Sequence, residues 1–311
     1  VRPLVTILTV TYNHARFIGA ALDSALAQQY RPLQIVVADD GSTDGTTAIV
    51  ARYASTHADV ITALTGRVGL LENANRALRA AEGEFVALLD GDDLYLPEKI
   101  ERQIEWFSQS PDRVLCAHDV EHFFDDGSQP PYRHFSRSSP LSGKGPRLLL
   151  ENGGPFATVS VMVRRSALPR YGFDVRMRAA LDYKLWLDCL AGGGEFGYLP
   201  DVLARYRLHG GGFHRTRLAE IQTDLFLART IFELEHPQFA GAAIRGRARQ
   251  YYRMAIAAFD RGDLSSAARY SAAAIQTSGQ AVPRAALLAT LLHSPSPILD
   301  VVRRWRTRRR R

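Results

Sequence analysis

Apolar residues in this chain come in two rhythms. Residues 4–10 (Leu-Val-Thr-Ile-Leu-Thr-Val), 34–38 (Gln-Ile-Val-Val-Ala) and 85–89 (Phe-Val-Ala-Leu-Leu) are near-continuous runs, the pattern of strands buried on both faces. Between the first two the period changes: Phe17, Ile18, Ala21, Leu22, Ala25 and Leu26 recur at helical spacing and put one apolar face on a sheet. Residues 46–53 read as a second helix. Strand, turn, helix, strand, turn, helix predicts a mostly parallel sheet covered on both sides, and in such sheets ligands bind beyond the carboxyl ends of the strands. Thr11, Asp39 and Asp90 are expected on that one edge.

The third run ends abruptly in Asp90-Gly91-Asp92-Asp93. Carboxylates clustered at the mouth of a core need a counter-charge, and a divalent cation carrying phosphates supplies one; Mg²⁺ or Mn²⁺ suits oxygen ligands of this kind. Asp-x-Asp alone is weak, because roughly one is expected by chance in a chain of this length and acids after a strand also make ordinary solvated turns.

Context narrows the choice. Thr9-Val10-Thr11-Tyr12-Asn13, the segment from Val37-Ala38-Asp39-Asp40-Gly41 to Thr46, Gly83-Glu84-Phe85 running into the acidic turn, and Pro97-Glu98-Lys99-Ile100 resemble the family 2 glycosyltransferases. Ser160-Val161-Met162-Val163-Arg164, Gly172-Phe173-Asp174, Asp182-Tyr183-Lys184-Leu185-Trp186 and Tyr206-Arg207-Leu208-His209 follow in the family's order, so the resemblance covers about residues 4–212. It implies an α/β GT-A fold with a Rossmann-like nucleotide-binding first half, an acceptor-binding second half, and inverting, metal-dependent transfer from a nucleotide-sugar. UDP is the nucleotide implied, with dTDP as the alternative, and the acceptor is a glycan or a lipid-linked molecule.

Carried over position by position, Asp39 is expected at the base, Thr11 and Tyr12 around base and ribose, Asp90 at the ribose or a metal-bound water, and Asp92 on the metal. Asp40 either joins Asp39 or holds the following turn. Asp182 is the expected general base, since an inverting reaction needs one opposite the leaving diphosphate; the competing reading is an acid favoured by a helix start. The family's preceding acid is Leu181 here, which puts acceptor identity in question, and Asp174 and Glu195 are the next acids in line. His209 is the expected second metal ligand. Arg67 and Asn75 are expected to face the nucleotide, while His14, His118, His122 and His214 are read as structural or acceptor-side. Residues 125–146, rich in Gly, Pro and Ser, predict a loop near the acceptor. Two rival functions stay open: a sugar-phosphate nucleotidyltransferase, which lacks support for want of a Gly-rich triphosphate loop, and a non-catalytic nucleotide-sugar-binding assembly subunit.

Composition adds boundaries. An apolar content of 46% over 311 residues supports a sizeable core, and the two cysteines, Cys116 and Cys189, have no metal-site spacing and read as buried thiols of a reducing compartment. No signal peptide and no membrane-spanning run is legible, which predicts a cytoplasmic active site. Residues 1–212 are expected to form the catalytic domain, bounded by Gly210-Gly211-Gly212. Residues 213–302 form a helical region that includes one tetratricopeptide-like hairpin turning at Gly262, packed on the catalytic domain or serving a homo-oligomer. The tail, 303–311, holds seven of the arginines behind a net charge of +7. Without it the body is near neutral, which argues against a specific nucleic-acid surface. The tail reads either as a solvated terminus or as a peripheral contact to anionic membrane on the cytoplasmic face.

The membrane reading predicts that the full chain co-sediments with anionic vesicles and that a chain ending at Leu299 does so far less, since each cation near such a surface contributes roughly 1 kcal/mol. High salt should abolish the difference. Equal partitioning of the two chains at low salt defeats the membrane reading.

Overall fold

The two rhythms become alternating strands and helices in the structure, a computed structural model that describes residues 2–135, 141–154, 156–210 and 216–278 together with Leu288 and Leu292. The Arg-rich tail, His214 and most of the glycine-rich boundary lie outside the described residues. By contacts the chain divides into two units, 1–146 with 154–228, and 147–153 with 229–311. The first division after the sheet therefore falls beyond residue 212, and the short segment 147–153 goes with the later helices.

In the first unit, β1 (Val5–Thr11), α1 (Ile18–Leu26), β2 (Leu33–Asp39), α2 (Thr46–Thr56), β3 (Ile61–Thr65), α3 (Leu70–Arg79) and β4 (Phe85–Asp90) realise the predicted alternation. After β5 (Leu94–Tyr95) and α4 (Lys99–Ser108) come the long β6 (Arg113–Phe124), the short β7 (Tyr132–Arg133), β8 (Gly143–Lys144) and β9 (Met162–Arg164). Then follow α6 (Leu181–Leu190), numbered after α5 of the second unit, and β10 (Glu195–Leu208). One sheet runs in the order β3-β2-β1-β4-β9-β6-β10-β5.

Strand direction decides where function can sit. β3, β2, β1 and β4 are mutually parallel; β9 is antiparallel to both β4 and β6, and β10 is parallel to β6. Two reversals restore direction, so β6 and β10 end on the same edge as β1, β2 and β4. The core beneath is apolar: Ile18, Ala21, Leu22 and Ala25 of α1 are fully buried with Val5, Ile7, Ile35 and Val37 of the strands. Removing this much apolar surface from water is the dominant stabilising term.

The second unit is helical. It comprises α5 (Arg147–Asn152), the later part of α7 (Leu218–Glu235), α8 (Ala240–Arg261) and α9 (Leu264–Ser278). The expected hairpin is α8 and α9 around a small core of Ala255, Ile256, Ala258, Phe259 and Ala267, and Gly262 makes its turn at φ +84°, a left-handed conformation that suits glycine. No helix among the described residues is long and apolar enough to cross a membrane.

Candidate active site

The loops after β1 and β2 interlock through side chains. Asn13 accepts from Thr43 N at 2.9 Å through Oδ1, Asp44 accepts from Ala15 N at 2.9 Å, and Thr46 Oγ1 accepts from His14 N at 2.8 Å. Asp39 lies within this knot, fully buried, accepting the hydroxyls of Ser42 and Thr47. Asp40 accepts from Val68 N and Gly69 N, both at 2.7 Å, and so holds the turn that opens α3. The turn that directly follows the pair is held by Asp39, which accepts Ser42 N at 3.3 Å, while Asp40 holds one farther along the chain. Beyond them Arg67 donates to the Tyr12 hydroxyl at 2.6 Å and stacks over its ring at 4.6 Å, so these two expected nucleotide residues form one exposed surface.

Gly91 brings the acidic turn against β1. A Cβ there would meet Thr11 Oγ1 at 2.5 Å and His14 Nδ1 at 2.9 Å, closer than side chains approach, so only glycine fits between Asp90 and Asp92 at this spacing. Across the turn, His209 Nε2 lies 2.9 Å from Asp92 Oδ2 and His14 Nε2 lies 3.9 Å from the same oxygen, while Thr11 Oγ1 and His14 Nδ1 are 3.2 Å apart. Asp92 and His209, the two expected metal ligands, are therefore together. His14 joins them, a residue read from sequence as structural or acceptor-side; its place directly after Thr11-Tyr12-Asn13 was the available signal.

The third acid, Asp93, is buried, with Oδ1 accepting Arg207 N at 2.8 Å and Oδ2 without a hydrogen-bond partner. Arg207 is the larger omission from the sequence reading. Its Nε donates to Asp92 O at 2.8 Å and its Nη1 to Asp125 Oδ1 at 2.8 Å, and its guanidinium lies between the rings of Phe17 and Phe123. A delocalised, weakly hydrated cation tolerates such burial, and its fixed fork ties β10 to the acidic turn. The charges still crowd each other: burial first, then Asp92 and Asp182, push Asp90 up to about 7. Burial with Asp92 and Asp90 also raises Asp93.

Asp182 belongs to the same electrostatic group. It stands in the first turn of α6, where Oδ1 accepts Tyr183 N at 2.7 Å and Oδ2 accepts the Thr158 hydroxyl at 3.1 Å. The approach to α6 is fixed by Asp224 of α7, whose Oδ2 accepts from the backbone N–H groups of Arg178, Ala179 and Ala180 at 2.7, 2.6 and 3.0 Å; no sequence motif marks that acid. Leu181, the residue before Asp182, is buried. The reserve acids are placed otherwise. Asp174 is buried against Arg176 and Lys184, which hold its carboxyl below the usual range, and Glu195 starts β10 beside Arg113, at the opposite end of that strand from His209.

Asn75 corrects an expectation. Its Nδ2 donates to Phe173 O at 3.0 Å and its Oδ1 accepts Phe173 N at 2.8 Å, so both ends of the amide are spent inside the fold. The neighbouring Gly172, at φ +73°, makes room for it, since a Cβ there would sit 2.3 Å from Asn75 Oδ1. Asn75 closes the packing of α3 on that loop and does not face a nucleotide. Cys116 and Cys189 are buried thiols, as expected.

Residues 6–172 match the family described as Glycosyl transferase family 2. The chain belongs to that family. An uncharacterized protein of Mycobacterium tuberculosis is 32% identical over 216 residues, which make up 67% of this chain and 60% of that protein. The chain thus spans about 60% of the length of these curated relatives. Among solved structures, the mannosyltransferase PcManGT of Pyrobaculum calidifontis, in complex with GDP-Man and Mn²⁺, superposes with a TM-score of 0.61 and 26% identity over 99% of this chain and 84% of that one. Residues 1–349 of Staphylococcus aureus TarS, in complex with UDP-GlcNAc, give 0.64 over 97% and 90% of the two chains; at 18% identity that likeness speaks to the GT-A fold alone.

Two outcomes follow from the geometry. Asn75→Ala leaves two buried backbone groups of Phe173 without partners and should lower stability by about 3 kcal/mol, read by denaturant titration, with nucleotide affinity unchanged; a loss of affinity with stability intact returns Asn75 to the site. Asp90→Asn should act the other way in EDTA. The parent's Asp90 is harder to ionise folded than unfolded, so its penalty is absent below the ordinary carboxylate range of 3.8 and complete above about 7. The variant should therefore melt higher than the parent at pH 8 and lose that advantage as the pH falls toward 4. A pH-independent difference between the two melting curves contradicts the assignment.

Proposed function

We propose that this glycosyltransferase is an inverting, divalent-metal-dependent enzyme that moves a sugar from a UDP-sugar to a hydroxyl of a glycan or lipid-linked acceptor. The observation that carries it is the convergence of Asp182, from α6, with Asp90 and Asp92 of the β4 turn on one edge, close enough that Asp182 raises Asp90.

The residues fit a divalent ion. Asp92 Oδ2 and the two imidazoles near it form a mixed oxygen and nitrogen donor set on a turn whose acids repel one another, and imidazole favours Mn²⁺ over Mg²⁺. Asp92 and His209 would hold the ion, which neutralises charge developing on the leaving diphosphate. The chain's own groups do the rest. Tyr12 and Arg67 flank the base, Thr11 and Asp90 line the ribose side, and a base N–H reaches Asp39 by replacing the rotatable Ser42 hydroxyl as its donor. Asp182, oriented by Thr158 and Tyr183 N, takes the proton of the acceptor hydroxyl as that oxygen bonds to the anomeric carbon and the carbon–oxygen bond to the diphosphate breaks.

GDP-mannose is the second donor to consider, because the neighbour at 26% identity is in complex with GDP-Man and Mn²⁺. A thermal-shift panel of UDP-, dTDP- and GDP-sugars with Mn²⁺, Mg²⁺ or EDTA discriminates the donors by mass-action stabilisation. With the donor known, Asp182→Asn should leave its affinity nearly intact and lower nucleoside diphosphate release in the presence of acceptor by about 10² or more. Unchanged turnover removes Asp182 from the chemistry. Donor binding without turnover in the parent would instead favour the assembly-subunit reading.

A further inference from the structure

Three rings stand in a row beside the acidic edge. Strand register puts them there: Tyr206 of β10 lies opposite His122 of β6, and His122 lies opposite Tyr132 of β7. Paired residues share a face of the sheet, so the row Tyr206, His122, Tyr132 runs across three strands on one side. Ring centroids are 5.1 Å apart for the first pair and 4.9 Å for the second, where the planes are nearly parallel at 14°.

The inner end of the row is at the acidic turn, since Tyr206 directly precedes Arg207, which donates through N to Asp93 Oδ1 and through Nε to Asp92 O, both at 2.8 Å. Burial and then Asp93, Asp90, Asp92 and Asp182 raise the Tyr206 phenol, so all four carboxylates are its electrostatic neighbours. The outer end is open, with Tyr132 49% exposed. Other exposed tyrosines among the described residues are used otherwise: Tyr12 carries Arg67 and Tyr171 donates to Asp188 at 2.8 Å. Between the ends, His122 Nε2 is 2.8 Å from His134 Nδ1. Burial and His134 push His122 down to about 4, so the ring behind Tyr132 is uncharged at neutral pH.

We propose that Tyr132, backed by His122, is a stacking platform for a pyranose ring of the acceptor, one or two sugars back from the hydroxyl presented to Asp182. The apolar C–H face of a pyranose matches the negative face of an aromatic ring, and a phenol fixed by a backbone ladder and a parallel ring loses little freedom on binding. The row's length matters. Ring-to-ring steps of 5.1 and 4.9 Å lead from Tyr206 through His122 to Tyr132, a path on the scale of a short glycan lying lengthwise. The platform rests on the transferase reading and narrows its acceptor to a molecule with at least two sugar rings.

The test uses the full chain without donor. Maltotriose, cellotriose, mannotriose and N-acetylchitotriose are each added to the parent, Tyr132→Ala and Tyr132→Phe, and saturation-transfer NMR reads which ring protons touch protein. At least one trisaccharide should show contact with the parent, fall about tenfold in apparent affinity with Tyr132→Ala, and be retained by Tyr132→Phe, which keeps the ring and loses only the hydroxyl. Equal melting midpoints of the three proteins exclude misfolding as the cause. Equal binding by Tyr132→Ala, or no contact between any trisaccharide and the parent, overturns the platform. Calorimetry of the nucleotide-sugar panel on the same proteins separates the two readings: donor binding lost with trisaccharide contact intact defeats the transferase reading alone, and the converse defeats the platform alone.

Discussion

Mutual repulsion among carboxylates on one sheet edge is the constraint from which the rest of the site follows. Asp90, Asp92 and Asp93 end β4 within an apolar core, and Asp182 adds a fourth charge from α6. Interior charges are tolerated when they are paired or hydrogen-bonded. The fold answers with β10, which delivers Arg207 to Asp93 and the Asp92 carbonyl and His209 to the Asp92 carboxylate. Those contacts offset part of the repulsion, and what burial and the neighbouring carboxylates leave is visible in the raised Asp90.

That compensation is possible only because of topology. A sheet whose strands all alternated in direction would scatter Thr11, Asp39, Asp90 and His209 over two edges. Here β9, antiparallel to both of its neighbours, sits between β4 and β6, and direction is restored beyond it, so five strand ends meet. Gly91 then sets the depth of the meeting, because any side chain there would hold the acidic turn off β1.

Most of this arrangement was legible in the sequence wherever the controlling information is local. Apolar runs and helical spacing located β1, α1, β2, α2 and β4, and the resemblance placed Asp92, His209 and Asp182 on elements that do converge. What was not legible is which polar groups are already satisfied. Asn75 looks the same in sequence whether it faces a ligand or bonds Phe173, and the pairing that decides it spans 98 residues. Asp224 and Arg207 likewise act through partners far along the chain. His14 was passed over for a different reason: a histidine after a strand has no preferred role until the turn opposite it is placed.

The two sides of the site differ in how firmly they are built. α6, which carries Asp182, has eight of its ten residues buried, and its approach is fixed by Asp224. An acid on such an element keeps its angle to the β4 turn whatever binds nearby, as the proposed proton transfer requires. The proposed acceptor platform rests on β7, two residues long, which pairs with β6 and is tied further by Arg133 to Asp119 at 2.8 Å and to Pro200 O at 2.6 Å. Tyr132 packs one face on the buried His122 and is 49% exposed on the rest, so its outward face can change without opening the core. Leu181, buried beside Asp182, leaves no charge at the position before the proposed base. The proposed chemistry is thus tied to the core through α6, and the proposed acceptor contact to a short edge strand whose outer face is open.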